Sequence, residues 1–504
     1  MSITLAPTDS NVIWVGTDDG YVQVTRDAGK TWTNVTSHIS GAPEWARVYQ
    51  VGVSPFDAGT AYVIYDAHML DNRHVYAYRT SDYGANWQKI MAGLPDDSPV
   101  HVVREDPNQR GFLVAGTDTG LYYSTDRGDH WKPIKSNFPT VPVWDLTFVK
   151  GRHDLVVATH GRGAFVFDDI RPLEELTPEI EASAFHLFTP SDGTILHRWR
   201  SDEGQTKGYT APNAPDGVLI DYYLKAELKV SPEQKKVRQT PVKILVTDEQ
   251  GNPVTTEYGP SEAGVNRFVW SMRYEGPTQL KSAAPPTESE FFNPNRGPMV
   301  VPGTYKISVT VNGQTESQSA TVVPDPNLKV DPAVFRAQTD TGLQARSEVS
   351  AMNEMLNRIE DIQKEISDFA AIVQSGNDDV QKAKYKPIVV RGRDLSKKLS
   401  AVKDAFIDPD LQHDVSEDDI HALARLQSQV SRAGFQGGGG YGQMPNPLVL
   451  EKAKELYAKL DEQLKKFNDL LKTDVADYNK AAQEAGAPTV FAGEPVEVKA
   501  VKGL

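Results

Sequence analysis

Several acidic and imidazole side chains stand where they could act on a bound molecule: Asp18 and Asp19, Asp66 and His68, His101, Asp118, Asp145, and the run Thr159-His160-Gly161-Arg162-Gly163. Two carboxyl groups facing each other across a sugar can hydrolyse a glycosidic bond, one donating a proton while the other activates water or attacks. Asp145 is the weak catalytic candidate of the set, because it follows Val143-Trp144 into a strand. The aspartates of Thr17-Asp18-Asp19-Gly20 and Thr117-Asp118-Thr119-Gly120 are instead expected to bond their own turns. His160 has the chemistry of a metal ligand, but no second histidine stands at ligand spacing. A hydrogen-bonding role is expected for it, with no metal and no cofactor.

What positions these residues is a repeat. Thr25-Arg26-Asp27-Ala28-Gly29-Lys30-Thr31-Trp32, Thr80-Ser81-Asp82-Tyr83-Gly84-Ala85-Asn86-Trp87 and Ser124-Thr125-Asp126-Arg127-Gly128-Asp129-His130-Trp131 share Asp, Gly and Trp at their third, fifth and eighth positions. In each the carboxylate can accept backbone N–H groups across a bend, the glycine can take a positive φ, and the tryptophan can cover the turn. Successive copies are 55 and 44 residues apart, and about 40–50 residues is the length of a four-stranded propeller blade. With the segment before each repeat included, residues 1–170 align as four units. Three of them have a proline nine residues before a matching strand position: Pro7 and Gly16, Pro55 and Ile64, Pro107 and Gly116. The fourth runs from Ala164-Phe165-Val166-Phe167 into Asp168-Asp169 without a repeat turn.

The repeat resembles the Asp-box, or BNR, motif of sialidases, sortilin-type receptors and xyloglucan-degrading glucanases. In that family it joins the outer strands of a blade on the side away from the ligand. The resemblance therefore implies a structural role for Asp27, Gly29, Trp32, Asp82, Gly84, Trp87, Asp126, Gly128 and Trp131. The turns between second and third strands and the starts of the inner strands (Arg47, Tyr49, His101, Asp145) would then form the opposite, ligand-binding face. Arg47, Arg104 and Arg162 do not assemble into the arginine triad that sialidase chemistry needs. Thr159 to Gly163 with Asp168-Asp169 is similar to the propeller end of large bacterial exported proteins labelled sortilin-like or glycosyl hydrolase. That likeness implies an extracytoplasmic protein. Four units could close alone as a four-bladed propeller, but they are expected to be the last part of a larger one, its other blades on a missing segment or a partner chain.

Composition bounds the remainder. At 504 residues with a net charge of −15 and no cysteine, the chain is expected to hold about three domains, with neither disulfides nor thiolate chemistry, and to bind no nucleic acid. No apolar run reaches transmembrane length, and Met1 to Leu5 does not read as a signal peptide. Residues 171–216, rich in Pro, Gly, Ser and Thr, read as a surface linker. Residues 217–325 read as an immunoglobulin- or fibronectin-like β-sandwich, with an Asn312-Gly313 hairpin. Residues 326–485 show helical periodicity and read as an antiparallel helical bundle, starting at Asp331-Pro332 and interrupted by a flexible loop over 434–447. Residues 486–504 read as a tail. The expected function is non-catalytic binding of a glycan or a peptide or protein ligand, and the alternative is a glycoside hydrolase whose site is incomplete in this chain.

Overall fold

The computed structural model describes residues 1–149, 151–196, 211–281, 295–406, 426–437 and 441–500. The chain divides into two compact units. One comprises Met1–Thr189 with Asp221–Leu228 and Ser261–Asn266, and the other Pro190–Ile220, Lys229–Pro260 and Arg267–Leu504.

The first unit contains the blades. Blade one is β1 (Ser2–Leu5), β2 (Ile13–Gly16), β3 (Val22–Thr25) and β4 (Thr33–Asn34); blade two is β5 (Arg47–Val53), β6 (Ala61–Asp66), β7 (Tyr76–Thr80) and β8 (Gln88–Lys89). Blade three is β9 (Val100–Glu105), β10 (Leu113–Thr117), β11 (Gly120–Ser124) and β12 (Lys132–Pro133), and blade four has β13 (Val143–Phe148), β14 (Leu155–Thr159) and β15 (Ala164–Phe167). Every sheet is an antiparallel meander. Each inner strand packs on the next, β1 on β5, β5 on β9 and β9 on β13.

The repeated turns are bonded as their residues require. Asp27 Oδ1 accepts from Thr25 Oγ1 (2.8 Å) and from the N–H of Thr31 (2.9 Å). Asp82 and Asp126 repeat the pattern with Thr80 and Asn86, and with Ser124 and His130. The bonds from Thr31 hold the Asp27 carboxyl down at about 2, and those from Asn86 lower Asp82 in the same sense. Replacing Asp82 or Asp126 by alanine is expected to cost about 1–3 kcal/mol by leaving turn N–H groups unpaired. Thermal melts beside a ligand titration check this: the variants should melt early yet bind normally.

The second and third turns also dock on the blade before them. The Trp131 indole donates to Ile90 O of blade two (2.9 Å), and Trp87 packs edge-on against Trp14 of blade one at 6.2 Å. Trp131 is 4% exposed, whereas Trp32, in blade one, is 42% exposed. Ile3 and Leu5 on blade one and Val166 on blade four are also exposed, so within this unit the stack of four blades has two end faces left uncovered by the described residues.

Residues 171–216, read as a linker, include helices Arg171–Glu175 and Pro178–Ala182 and strands Phe185–Leu187 and Gly193–Ile195. Helix starts were written there in prolines: Thr177 caps the second helix, its side chain accepting from the N–H of Ile180, with Pro178 in the first turn.

In the second unit a five-stranded sheet runs Gly193–Ile195, Gln314–Pro324, Gly303–Val311, Val242–Thr247, Pro253–Tyr258, its first pairing parallel. Asn312 and Gly313 both take positive φ in the expected hairpin. Helices follow at Pro332–Ser375, Asp379–Lys403, Leu426–Gly437, Pro447–Leu470 and Ala476–Ala485, the last two joined by a π turn. Met352, Leu356, Ile359, Leu460 and Phe467 lie in one apolar core. The third of these helices is described from Leu426, and residues 407–425 lie outside the described residues. That helix continues to Gly437, into the segment read as a loop, while Gly438 to Gly440 lie outside the described residues. Val490 and Val496, in the expected tail, are buried against this core.

Candidate ligand-binding face

The antiparallel meander sends the β2–β3, β6–β7, β10–β11 and β14–β15 turns and the starts of β5, β9 and β13 to one side, and the repeat turns to the other. Asp18, Asp19, Asp66, His68, His101, Asp118, Asp145, His160 and Arg162 therefore share a face.

Three inner strands carry the same irregularity there. In β5 the register steps from Val48↔Tyr65 to Gln50↔Ile64, in β9 from Val100↔Thr117 to Val102↔Gly116, and in β13 from Val143↔Thr159 to Asp145↔Ala158. The extra residues are Tyr49, His101 and Trp144. A bulge leaves one residue outside the ladder and re-aims its side chain. The three rings line up across the blades. Tyr49 and His101 centroids are 5.2 Å apart, His101 and Trp144 6.1 Å, and Trp144 stacks on His160 at 4.8 Å and 12°. The Arg47 guanidinium lies 4.8 Å from the Tyr49 centroid. Blade one has no such bulge, its inner strand pairing continuously from Ser2↔Gly16 to Leu5↔Ile13.

Ion pairs frame the ladder. Asp66 accepts from Arg47 (3.0 Å) and pairs with His68 (2.6 Å). Asp118 accepts from Arg73 (2.9 Å) and pairs with His101 Nε2 (2.7 Å), and Asp145 accepts from Arg104 (2.9 Å). Burial pushes the Asp66 carboxyl up, but the bonds from His68 and the Arg47 charge outweigh it, so the group ends below the ordinary aspartate value. Asp18 holds the N-terminal ammonium and Asp19 the Thr17 hydroxyl, while Arg162 is exposed without an ion pair among the described residues.

His160 thus has an aromatic partner, and no three metal-ligating side chains converge among the described residues. Tyr49 was expected on this face, and Trp144 is the residue that reasoning from carboxylates passes over. Their signal was a valine-aromatic dipeptide in three inner strands: Val48-Tyr49, Val100-His101 and Val143-Trp144.

Comparison with solved structures gives YCF48 from Cyanidioschyzon merolae at 18% identity, covering 34% of this chain and 53% of that one, with a TM-score of 0.25. YCF48 bound to D1 peptide follows at 13% identity, 63% and 81% coverage and a TM-score of 0.26. The GH74 xyloglucanase from Xanthomonas campestris gives 14%, 67%, 47% and 0.28. The chain thus spans about half the length of the first and third of these proteins, and likenesses this weak transfer no activity to it. No curated protein matches. Residues 20–154, spanning most of the four blades, match the family model described as sortilin, neurotensin receptor 3. The blade region is therefore similar to the β-propeller of sortilin-type proteins.

Proposed function

We propose that this chain is a non-catalytic binding protein that holds a glycan or peptide ligand on the bulged face of an incomplete propeller. The observation that carries the reading is the ring ladder Tyr49, His101, Trp144, built by one bulge repeated in three blades. A bulge held at the same position in three blades, with Trp144 exposed, Tyr49 half-buried and His101 buried between them, suits recognition.

The carboxylates point the same way. A glycosidase acid needs a carboxyl held protonated by its surroundings, whereas Asp66, Asp118 and Asp145 each accept from an arginine. Further blades of the same repeat suit the uncovered faces of blades one and four. In this reading the five-stranded sheet belongs to an immunoglobulin-like accessory module, the helices form a bundle, and the protein works outside the cytoplasm.

Saturable binding without product release is the expected outcome of a screen of the full chain against plant and bacterial polysaccharides and a peptide pool. Trp144→Ala should weaken the binding at least tenfold. Robust product release abolished by Asp145→Ala would overturn the reading in favour of the hydrolase.

A further inference from the structure

The bulged face carries more than its ladder. Exposed large apolar side chains cluster on it: Tyr21 beside the β2–β3 turn, Trp45 just before β5, Met69 and Leu70 in the β6–β7 turn, and Trp144. Trp45 is 74% and Met69 83% exposed. Trp45 also has φ +63°, a backbone state that a bulky residue adopts only where its surroundings impose it. Those surroundings are tight. The adjoining Ala46 carbonyl lies 2.9 Å from where a Cβ on Gly20 would stand, and Tyr65 Oη donates to Gly20 O (3.3 Å). That packing holds the backbone beside Trp45, whose side chain stays largely exposed.

Charge supplies the second constraint. Arg47, Arg73 and Arg104 are each already engaged by an aspartate. Asp19, Asp71, Asp96 and Asp97 are exposed and have no arginine or lysine partner among the described residues, Asp96 pairing with His74 alone, and they outnumber Arg162, the exposed arginine of the same face that has no ion pair among those residues. Carboxylates without a lysine or arginine partner, beside aromatic faces, attract cations through Coulomb and cation–π terms together. Fixed Trp, Tyr and Met side chains are also the side chains that enrich protein-binding surfaces. A neutral sugar would use the rings but leave the negative charge unanswered.

Resting on the binding reading above, we infer that the ligand of this face is a basic peptide segment, its lysines or arginines set between apolar side chains. Trp45, Met69 and the Trp144 end of the ladder seat the apolar side chains. Asp19, Asp71, Asp96 and Asp97 face the cationic ones.

The test uses the full chain and fluorescence anisotropy. Its probes are labelled peptides alternating lysine with tryptophan or leucine, the same peptides with glutamate for lysine, and neutral β-glucan oligosaccharides. The lysine peptides are expected to bind at least tenfold more tightly than the glutamate peptides, and to weaken at least tenfold from 50 to 300 mM salt. Trp45→Gly, which keeps the positive φ, should weaken them about tenfold without changing the melt. Equal binding of glutamate and lysine peptides would overturn the inference, as would oligosaccharide binding in their place, and either would leave the binding reading standing provided Trp144→Ala abolishes that binding. Binding of no probe at all, or binding indifferent to Trp144→Ala, would sink both.

Discussion

Gly116→Val is expected to destabilise the protein by about 3 kcal/mol or more, the upper end of what overpacking a tight site costs. A Cβ on Gly116 would stand 2.5 Å from Val143 Cγ1 and 2.7 Å from Val102 Cγ1. One neighbour is the inner strand of the same blade and the other that of the next. The added side chain would wedge β13 off β10, and Val143 adjoins Trp144, so the stacked Trp144–His160 pair should loosen as well. Denaturant melts followed by near-UV circular dichroism would show both effects, and a variant with unchanged midpoint and spectrum would refute the packing argument. Ala158 is the internal control. It precedes Thr159 as Gly16 precedes Thr17 and Gly116 precedes Thr117, yet it is exposed on the uncovered face of blade four. Ala158→Leu should stay within about 0.5 kcal/mol, as surface changes do. A loss comparable to that of Gly116→Val would mean that another blade already sits there.

The blade repeat was legible because its turn demands rare residues. Gly29, Gly84 and Gly128 all have φ near +90°, and only glycine takes that state freely. The turn asks for more than the sequence announces: Ala28, Tyr83 and Arg127, just before those glycines, are also left-handed, at φ 57°, 57° and 66°. The Asp and Thr or Ser bonds hold them there, so no special residue type marks these positions. The helices from Asp331 were legible for a similar reason. Asp331 accepts from the N–H of Ala333, Pro332 sits in the first turn, and the apolar stripe from Val349 to Ile366 is buried.

The ladder was not legible from alternation alone. A bulge is a mismatch between two strands, and one strand read by itself shows only an aromatic residue after a valine. Carboxylates drew attention because they are the groups hydrolysis needs, yet the structure gives Asp66, Asp118 and Asp145 arginine partners contributed by three different strands or turns. Arg73 and Arg104 lie 45 and 41 residues from Asp118 and Asp145, separations close to one blade period, and that period was in hand. Strand Pro253–Tyr258 is not legible by itself, because Pro-Val-Thr-Thr-Glu-Tyr has no clean apolar period. Its pairing with Val242–Thr247 supplies the order its own residues do not.

On the side of the repeat turns, a buried acidic group should make the protein lose stability as pH rises. Glu174 is buried beside Asp106, which is fully buried, and its Oε2 bonds His153 Nδ1 at 2.7 Å. Glu174 Oε1 and Asp106 Oδ2 are buried without a donor from the protein, a gap that one proton held between the two carboxyls fills. Burial first, then the hydrogen bond with Asp106 and the Asp106 and Asp169 charges, push the Glu174 carboxyl up to about 9 from an ordinary 4.5, with Arg171 opposing. Between those values the unfolded chain has released a proton that the folded protein still holds. The stabilisation is therefore complete below about pH 4.5 and is lost as pH climbs through the folded value near 9. For one proton the slope is at most about 1.4 kcal/mol per pH unit. Glu174→Gln keeps the shape and an N–H donor toward Asp106 but cannot ionise. Urea midpoints measured from pH 5 to 9 should fall for the natural protein and run flatter for the variant, so the two curves diverge most at pH 9. Parallel curves would mean that Glu174 is already ionised in the folded protein and that no proton is held between it and Asp106.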